Sequence, residues 1–365
     1  MHVKFLDVCK DVTKTACKIP QREYLSNGKY KIFDQSQKYI GGYSDLEEGV
    51  AVDYPYIVFG DHTRVVKFIE EPCFIGADGV KLLKVVNEEF LPKYIYYAML
   101  AKPVEHQGYS RHFKLVKELY FEKVDKRKQK KIIDELEKIE WCIKLKNEQL
   151  ADLDELVKSR FVEQFGDSVL NEKGWRTKPL LEMGNCKNGM NFHYDECGVE
   201  INCLGVGDFK DLSVIDNTEL LPTVSLNEMP SEEYLLKDDD IVFVRSNGNR
   251  ALVGRSVAVY PGDIPTTFSG FCIRYRKYDD EVTIPYLLRV LKTDSIRSKM
   301  TGRGANIQNL NQQILGTLLV PVPPIELQTE FSEFVKQVDK SKVIIQKKIV
   351  DLQELLDSKM DEYFS

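Results

Sequence analysis

One helical stretch decides the fold, because the sequence contains it twice. Residues 147–167 read NEQLADLDELVKSRFVEQFGD, and residues 347–365 read KKIVDLQELLDSKMDEYFS. A repeat of this length implies that two parts of the chain share one architecture. At a constant offset of 199 residues, the matching pairs are Asp152 with Asp351, Leu153 with Leu352, Glu155 with Glu354, Leu156 with Leu355, Ser159 with Ser358, Glu163 with Glu362 and Phe165 with Phe364.

An apolar stripe runs through each copy at alternating steps of three and four residues, which is the pattern of a coiled coil. Each helix is predicted to have about 40 residues and a length of roughly 60 Å. Each stripe includes one lysine, Lys146 or Lys342, which sets the register at some cost in stability. The predicted seam consists of Ile132, Leu136, Ile139, Ile143, Leu150, Leu153 and Val157 in the first copy, and Phe331, Val335, Val338, Ile345, Ile349, Leu352 and Leu356 in the second.

Neither helix can bury its apolar stripe alone, so each needs a partner. A homodimeric zipper would provide one, but two copies in one chain meet at a high effective concentration. We therefore expect the two helices to form an intramolecular antiparallel coiled coil that holds two globular domains at opposite ends.

The boundaries of both helices can be predicted from residue types. Asp125 is expected to cap the start of the first helix, and Pro323 and Pro324 are expected to form the first turn of the second. Gly166 is expected to end the first helix. Gln129 and Gln328 match at the same offset of 199 residues.

The segments that precede the two helices show a different pattern. Short β-branched and aromatic runs, such as YPYIVFG and DDIVFVRSNG, alternate with turn residues. In both halves a short helix around a proline, from Leu91 and from Ile284, leads to a basic loop with glycine. The sequence thus predicts an α+β fold with a pseudo-two-fold repeat, in which a globule (1–122), a helix (123–167), a second globule (168–320) and a second helix (321–365) follow one another.

Composition limits the class of protein. The net charge of −6 and a sequence pI of about 5.6 argue mildly against nucleic acid, which requires concentrated positive charge. Acidic and basic residues segregate by region, however, as in the basic run LRVLKTDSIRSKMTGRGAN. No apolar run predicts a membrane span, and the N-terminus lacks an apolar signal core. Eight cysteines without a C-x-x-C pair indicate buried thiols in a reducing, cytoplasmic compartment.

Motifs for catalysis are missing from the sequence. It has no G-x-x-x-x-G-K-[ST] loop for ATP, and no N-P-P-aromatic or D-P-P-aromatic tetrapeptide that would hold a target adenine. Its five histidines are dispersed. Asp61 and His62 are neighbours, but they lack a third group that would orient them for catalysis. These features favour a chain with no catalytic residues, no metal and no cofactor of its own.

The order and duplication of these segments resemble the specificity (S) subunit of type I restriction–modification systems. The resemblance covers the whole chain, with local matches at residues 59–83, 108–119, 304–328 and the helix ending LDELVKSRFVEQFGD. One departure is the run EKVDK near Val124, where the family usually has a PxPP-like sequence.

The resemblance implies a function and partners. Each globule would be a target-recognition domain that reads one half of a bipartite double-stranded DNA site. The paired helices would set the spacer and dock two modification subunits, which are adenine methyltransferases. Restriction subunits would join through them. S-adenosylmethionine, ATP and Mg²⁺ are expected on those partner subunits and not on this chain.

Candidate DNA-binding residues come from two loop clusters, one in each half. Arg, Lys, Asn, Gln and His are the side chains that match base edges and phosphates. Arg111 and Arg303 are expected to clamp phosphates, because a neighbouring glycine lets the backbone approach DNA. The alternative is that these are ordinary solvated loop residues, with Asn247-Gly248 forming a turn. The candidates are His62, Thr63, Arg64, Tyr109, Arg111, His112 and Lys114 in the first half, and Arg245, Ser246, Asn247, Asn249, Arg250, Arg303, Asn306, Gln308 and Asn309 in the second.

Three other functions stay open at the level of sequence. The chain could be the specificity chain of another bipartite, type IIB-like restriction system. It could be a self-contained nuclease or methyltransferase, in which case the purified chain alone would act on DNA. It could also be a coiled-coil scaffold that binds only protein, in which case it would show no salt-dependent DNA binding.

Overall fold

A computed structural model describes residues 1–108, 110–192, 196–209, 212–301 and 309–365. The chain divides into two compact units, and each combines β-sheets with helices. Unit 1 comprises residues 1–149 and 345–365, and unit 2 comprises residues 150–344. Each unit therefore includes part of both long helices. The α+β class and the two long helices confirm the predicted fold class.

Unit 1 contains three sheets and a short helix that packs on one of them. A four-stranded antiparallel sheet has the order β2-β9-β6-β7, a four-stranded mixed sheet has the order β3-β8-β4-β5, and β1 pairs with β10. The elements are β1 (His2–Lys4), α1 (Phe5–Val8), β2 (Cys9–Asp11), β3 (Lys18–Ile19), β4 (Tyr30–Phe33), β5 (Gly42–Ser44), β6 (Tyr56–Gly60), β7 (Val66–Ile69), β8 (Cys73–Gly76), β9 (Val80–Val85), α2 (Pro92–Ala101), α3 (Phe113–Val116), β10 (Tyr120–Glu122) and α4 (Lys126–Phe165), of which residues up to 149 belong to this unit.

Unit 2 repeats this plan, but its larger sheet has one strand more and its smaller sheet one strand fewer. A five-stranded sheet has the order β12-β19-β16-β17-β14, a three-stranded sheet has the order β15-β13-β18, and β11 pairs with β20. The elements are β11 (Arg176–Pro179), β12 (Gly184–Asn188), β13 (Val199–Leu204), β14 (Val214–Ile215), β15 (Thr223–Leu226), β16 (Asp240–Val244), β17 (Ser256–Val259), β18 (Thr266–Phe268), β19 (Cys272–Lys277), α5 (Ile284–Lys292), α6 (Asp294–Thr301), α7 (Gln312–Gly316), β20 (Leu319–Val322) and α8 (Ile325–Phe364), of which residues up to 344 belong to this unit.

The central strands β6 and β16 are buried on both faces, which explains their continuous apolar sequences. In β6, Ile57 and Phe59 point into the core beneath α2, whereas Val58 points into the core between the two sheets. In β16, Phe243 lies in the core beneath α5 and Val242 lies between the sheets. Each of these strands therefore ends in a loop whose position is fixed by two separate cores.

Gln129 and Gln328 are fully buried, and they make the same three hydrogen bonds in the two units. Each side-chain oxygen accepts the backbone N–H of the residue just before the short helix, which is Leu91 (2.7 Å) in unit 1 and Thr283 (2.9 Å) in unit 2. Each side-chain amide donates to two carbonyls. The acceptors are Glu89 (2.8 Å) and Val124 (2.9 Å) for Gln129, and Glu281 and Pro323 (both 2.9 Å) for Gln328.

The EKVDK departure leaves the junction between globule and helix unchanged. Asp125 caps α4, because its carboxylate accepts the N–H groups of Arg127 and Lys128 at 2.9 Å. Its carbonyl accepts the N–H of Gln129, as the carbonyl of Pro324 accepts that of Gln328. Side-chain capping in one half therefore replaces proline in the other. The predicted end of α4 is confirmed, since Gly166 has φ +78° and donates to the carbonyl of Val162.

All fourteen predicted seam positions are buried or half-buried, and their assignment to the seam stays a prediction. In unit 2 the helix segments run antiparallel, with Phe165 beside Phe331 (ring centroids 5.5 Å apart) and Asp154 paired with Lys342. In unit 1, Tyr363 of α8 donates a hydrogen bond to Glu135 of α4. The segment boundaries predicted at 123–167 and 321–365 stay a prediction, since the boundary between the two compact units falls within each long helix.

The prediction of buried thiols is confirmed only in part. Burial raises the pKa of the Cys9 thiol to about 12, which makes it unreactive. Cys9, Cys73, Cys203 and Cys272 are buried, Cys186 is half-buried, and Cys17, Cys142 and Cys197 are exposed.

No helix in the described part of the chain is long and apolar enough to cross a membrane.

Candidate nucleic-acid interface

The first loop cluster begins where β6 ends. Arg64 has φ +63°, and its N–H donates to the carbonyl of Gly60 at 2.7 Å, which closes a tight turn. The N–H of Asp61 donates to the carbonyl of Gly79 just before β9, at 2.6 Å. The turn leaves His62 and Thr63 exposed, as DNA contact requires.

Asp61 joins this turn to the second predicted loop of unit 1. Its carboxylate accepts the N–H of Phe113 at 2.7 Å, and its carbonyl accepts the N–H of His112 at 2.9 Å. Asp61 is only 4% exposed. The two loops predicted separately from the sequence therefore form one surface.

His112 is a correction to the predicted DNA-reading set, because it is fully buried. Its Nδ1 lies 2.9 Å from the carbonyl of Asp61, and its Nε2 accepts the N–H of Gln107 at 3.0 Å. Both ring nitrogens are engaged if Nδ1 carries the proton, since only then does it donate to the carbonyl. The ring shapes the loop and is not available to DNA.

The other candidates in this cluster differ in exposure. Arg111 and Lys114 are exposed, and among the described residues neither forms an ion pair. Gly108 has φ +62° and open space where a side chain would stand, so the backbone here is accessible. Arg64 is half-buried, and its Nη1 donates to the carbonyl of Val104 at 3.1 Å. Tyr109 lies outside the described residues.

Two further lysines make this surface basic. Lys81 and Lys117 lie 4.9 Å and 5.2 Å from the centre of the Phe113 ring. Lys81 also pairs with Asp11 at 3.1 Å. Burial alone would raise the pKa of the Asp11 carboxyl, but hydrogen bonds from Thr13 and the charge of Lys81 hold it below its usual value. Sequence reasoning missed both lysines, because they belong to a strand and to the end of a helix.

The second cluster is built on the same backbone pattern. The N–H of Arg245, the residue after β16, donates to the carbonyl of Phe271 before β19 at 2.8 Å. The carbonyl of Arg245 accepts the N–H of Leu310 at 2.9 Å. Arg245 therefore occupies the place of Asp61, and Leu310 that of His112. The guanidinium of Arg245 donates to the carbonyl of Gly270 at 3.2 Å and is half-buried.

Asn247 and Asn249 fix the shape of the loop after β16. The side-chain oxygen of Asn247 accepts the N–H of Asn249 at 2.8 Å, and that of Asn249 accepts the N–H of Ala251 at 3.0 Å. These bonds use the oxygens and leave the NH₂ groups, which donate to base acceptors. The exposed Arg250 donates to the carbonyl of Thr301 at 3.2 Å.

The remaining candidates of unit 2 lie around this loop. Ser246 is half-buried and Asn309 is exposed. Sequence reasoning missed Phe271, a 61% exposed aromatic ring at the equivalent of Gly79. Alignment of the two repeats would have found it, since β9 and β19 occupy the same place in their sheets. Arg303, Asn306 and Gln308 lie outside the described residues.

The family is apparent from comparison with known sequences. Residues 172–354, about half of the chain, match the type I restriction modification DNA specificity domain. The type I restriction enzyme StySPI specificity subunit of Salmonella potsdam is 30% identical over 176 residues. This alignment spans 45% of the chain and only 36% of that relative.

Solved structures share the fold over the full length. The S subunit of a type I restriction–modification system from M. genitalium has a TM-score of 0.57 at 17% identity, and the match covers 100% of this chain and 96% of that one. A chain solved in connection with complex assembly and conformational transition of the type I R-M system gives 0.57 at 16%, covering 100% and 97%. With a sequence match over half its length, this chain belongs to the type I restriction modification DNA specificity family.

Proposed function

We propose that this chain is the DNA-sequence specificity subunit of a type I restriction–modification enzyme and binds a bipartite duplex site. One observation carries the proposal. The two units present loop clusters at the same topological position, held by equivalent hydrogen bonds at Asp61 and Arg245. The clusters have different side chains on the same backbone frame. Two similar frames with different surfaces are suited to reading two different half-sites.

The mechanism that this arrangement supports is groove readout by fixed loops. The strand ends beneath each loop are buried in two cores, so few degrees of freedom are lost on binding. Exposed donors such as His62, Asn249 and Arg250 reach base edges, and Arg111 and Lys114 neutralise phosphates. The chain itself contributes recognition and no bond-making step.

We further propose that this chain binds partner subunits that carry out methylation and cleavage of DNA. Two modification subunits methylate adenine with S-adenosylmethionine, and restriction subunits join through them and use ATP and Mg²⁺. The duplicated architecture favours two copies of the modification subunit, because a repeated surface binds the same partner twice. DNA as the substrate places the complex in the cytoplasm.

A selection experiment tests this function. The full chain, with and without its modification subunit, is mixed with a library of random DNA duplexes, and the bound sequences are read. Two short conserved blocks separated by a fixed, unread spacer are expected. Methylation or cleavage of DNA by the chain alone would instead indicate a self-contained enzyme. Absence of salt-dependent DNA binding, even with the modification subunit, would indicate a protein scaffold.

The substitution Arg111→Ala is expected to weaken DNA binding by about the same factor for all sequences. An exposed arginine beside an accessible backbone contacts phosphate, which carries no sequence information. The slope of log K against log salt should fall by about one. Titration of specific and random duplexes at several salt concentrations measures both effects.

The matched control is Arg22→Ala, which removes an exposed arginine elsewhere in unit 1. Its DNA affinity should stay within about twofold of wild type, since a surface charge distant from phosphates is screened. If Arg111→Ala weakens binding only to duplexes with one particular base, Arg111 is a base reader and the phosphate assignment is wrong.

A further inference from the structure

A cationic cavity of about 380 Å³ lies in unit 2 beneath α5, beside the start of β17. Four cations line it, namely Arg289 and Lys292 of α5, Arg297 of α6, and Arg255, which precedes β17. Among the described lining residues, Asp294 contributes the only carboxylate. Arg289, Lys292 and Arg297 alone outnumber this carboxylate, and such an excess of like charge costs free energy unless a negatively charged ligand offsets it.

Two polar atoms at this cavity have no hydrogen-bond partner among the described residues. Ser256 is 3% exposed, and its Oγ is buried without a hydrogen bond. The Nε of Arg289 is also buried and without a partner. A buried hydroxyl or guanidinium N–H left unpaired destabilises the native state. Both groups donate hydrogen bonds, so each is satisfied by an acceptor oxygen within its reach.

The first repeat shows that the fold does not require these charges. Ser256 faces Phe243 across β16 and β17, whereas Val66 faces Phe59 at the same register in unit 1. Both strands lie under the short helix of their own unit, so the fold accepts a valine at the position of Ser256.

The short helices differ in the same way. The buried glutamines bind the N–H groups of Thr283 and Leu91, so these two residues align the short helices. In this alignment Arg289 corresponds to Tyr97 and Lys292 to Leu100. Leu100 and Val66 line a cavity of only about 60 Å³ in unit 1, whose cations, Arg64 and Lys102, come from other positions. Ser256, Arg289 and Lys292 of unit 2 therefore replace uncharged residues, two of them apolar, at the aligned positions of unit 1.

We propose that this cavity binds a phosphate-type oxyanion, held by Arg289, Lys292 and Arg297 and by the hydroxyl of Ser256. Phosphate presents several acceptor oxygens and charge, which matches both the unpaired donors and the cations. The phosphate comes either from the DNA backbone or from free inorganic phosphate. Only the DNA source rests on the proposed function, because binding of inorganic phosphate can be measured without DNA.

The lowered pKa of Lys292 is consistent with a binding site for an anion. Burial, together with the nearby charges of Arg289 and Lys342, lowers the pKa of its ammonium from 10.5 to about 8. Asp154 of α4 and Asp339 of α8 oppose this shift, and Ser213 accepts a hydrogen bond from the ammonium at 2.7 Å. A bound anion raises the pKa again, so phosphate affinity should fall as pH rises above about 8.

The test measures phosphate binding to the full chain by calorimetry and by the midpoint of thermal unfolding, against chloride at equal ionic strength. Wild type is expected to bind phosphate and unfold at a higher temperature in its presence. Ser256→Val and Lys292→Leu, which introduce the residues of the first repeat, and Arg289→Met should each lose at least about tenfold in affinity. The control Lys237→Leu removes an exposed lysine that pairs with Glu232 and should bind phosphate as wild type does.

Folding of the variants is checked in phosphate-free buffer. Because the pKa of Lys292 is lowered on folding, the charged lysine destabilises the native state below pH 8, and this penalty disappears as pH rises toward 10.5. Lys292→Leu should therefore unfold at or above the wild-type temperature at pH 7, with a difference that shrinks above pH 8.

The outcomes test whether the site exists and distinguish the two sources of phosphate. If phosphate and chloride act alike on wild type, or if all three variants keep the phosphate response, the site does not exist. If Arg289→Met also weakens DNA binding and lowers the salt slope by about one, the ligand is a backbone phosphate. If the variant loses inorganic phosphate but binds DNA as wild type does, the ligand is free phosphate.

Discussion

Replacing Gln328 with leucine is expected to lower the free energy of unfolding of unit 2 by about 3 kcal/mol or more. The substitution removes all three hydrogen bonds of a fully buried amide. It leaves one N–H, that of Thr283, and two carbonyls, those of Glu281 and Pro323, without partners. Each such group costs roughly 1–3 kcal/mol, which places the sum at the severe end of single substitutions.

The repeat supplies an internal check on this prediction. Gln129→Leu removes the same three bonds in unit 1 and should have an effect of similar size. The exposed glutamines Gln149 of α4 and Gln337 of α8 provide matched controls, with expected changes within about 0.5 kcal/mol. Chemical denaturation followed by circular dichroism measures all four. If the buried and exposed glutamines gave equal changes, the amides would not hold the helices to their globules.

Replacing Asp61 with alanine is expected to erase recognition of one half of the DNA site and leave the other half intact. The carboxylate holds the N–H of Phe113 and so positions the second loop of unit 1. Without it the loop surface loses its fixed shape, and several base contacts weaken together. Since each lost base pair of recognition costs roughly 1–3 kcal/mol, specific affinity should fall by about 100-fold or more.

The control for Asp61→Ala is Asp61→Asn, which keeps an oxygen that accepts the N–H of Phe113. It should retain most of the specific affinity, whereas Asp7→Ala, an exposed aspartate of the same unit, should change nothing. Selection from random duplexes identifies the lost half-site. If both half-sites degrade equally, Asp61 supports the stability of the chain and does not position one reading surface.

Local patterns made much of the fold predictable. The two long helices, the Asp125 cap and the Gly166 terminus depend on residues within a few positions of one another, and all are confirmed. Strand order could not be predicted, because β4 pairs in parallel with β8 about 40 residues later. Nothing in either short strand specifies that partner. Outside the long helices the duplication was informative only at the level of whole segments.

Prediction of the site was limited because residue type does not determine burial. His112 belongs to a basic loop, and its polar ring suggested DNA contact, yet the ring lies inside. The equivalent position in the second repeat is Leu310, which is also fully buried. A residue-by-residue alignment of the loops would have exposed this. The cationic cavity joins residues of separate elements, so no single stretch of sequence could indicate it.

The discontinuous composition of unit 1 has a consequence for synthesis on the ribosome. Phe364 belongs to the same core as Phe5, Tyr94 and Leu136, and 195 residues separate the two segments of this unit. At roughly 5–20 residues per second, translation needs about 10–40 s to bring the later segment into reach. During that interval the nascent first globule has an uncovered apolar wall, which is a binding surface for chaperones. Unit 2 is continuous in sequence and has no such delay.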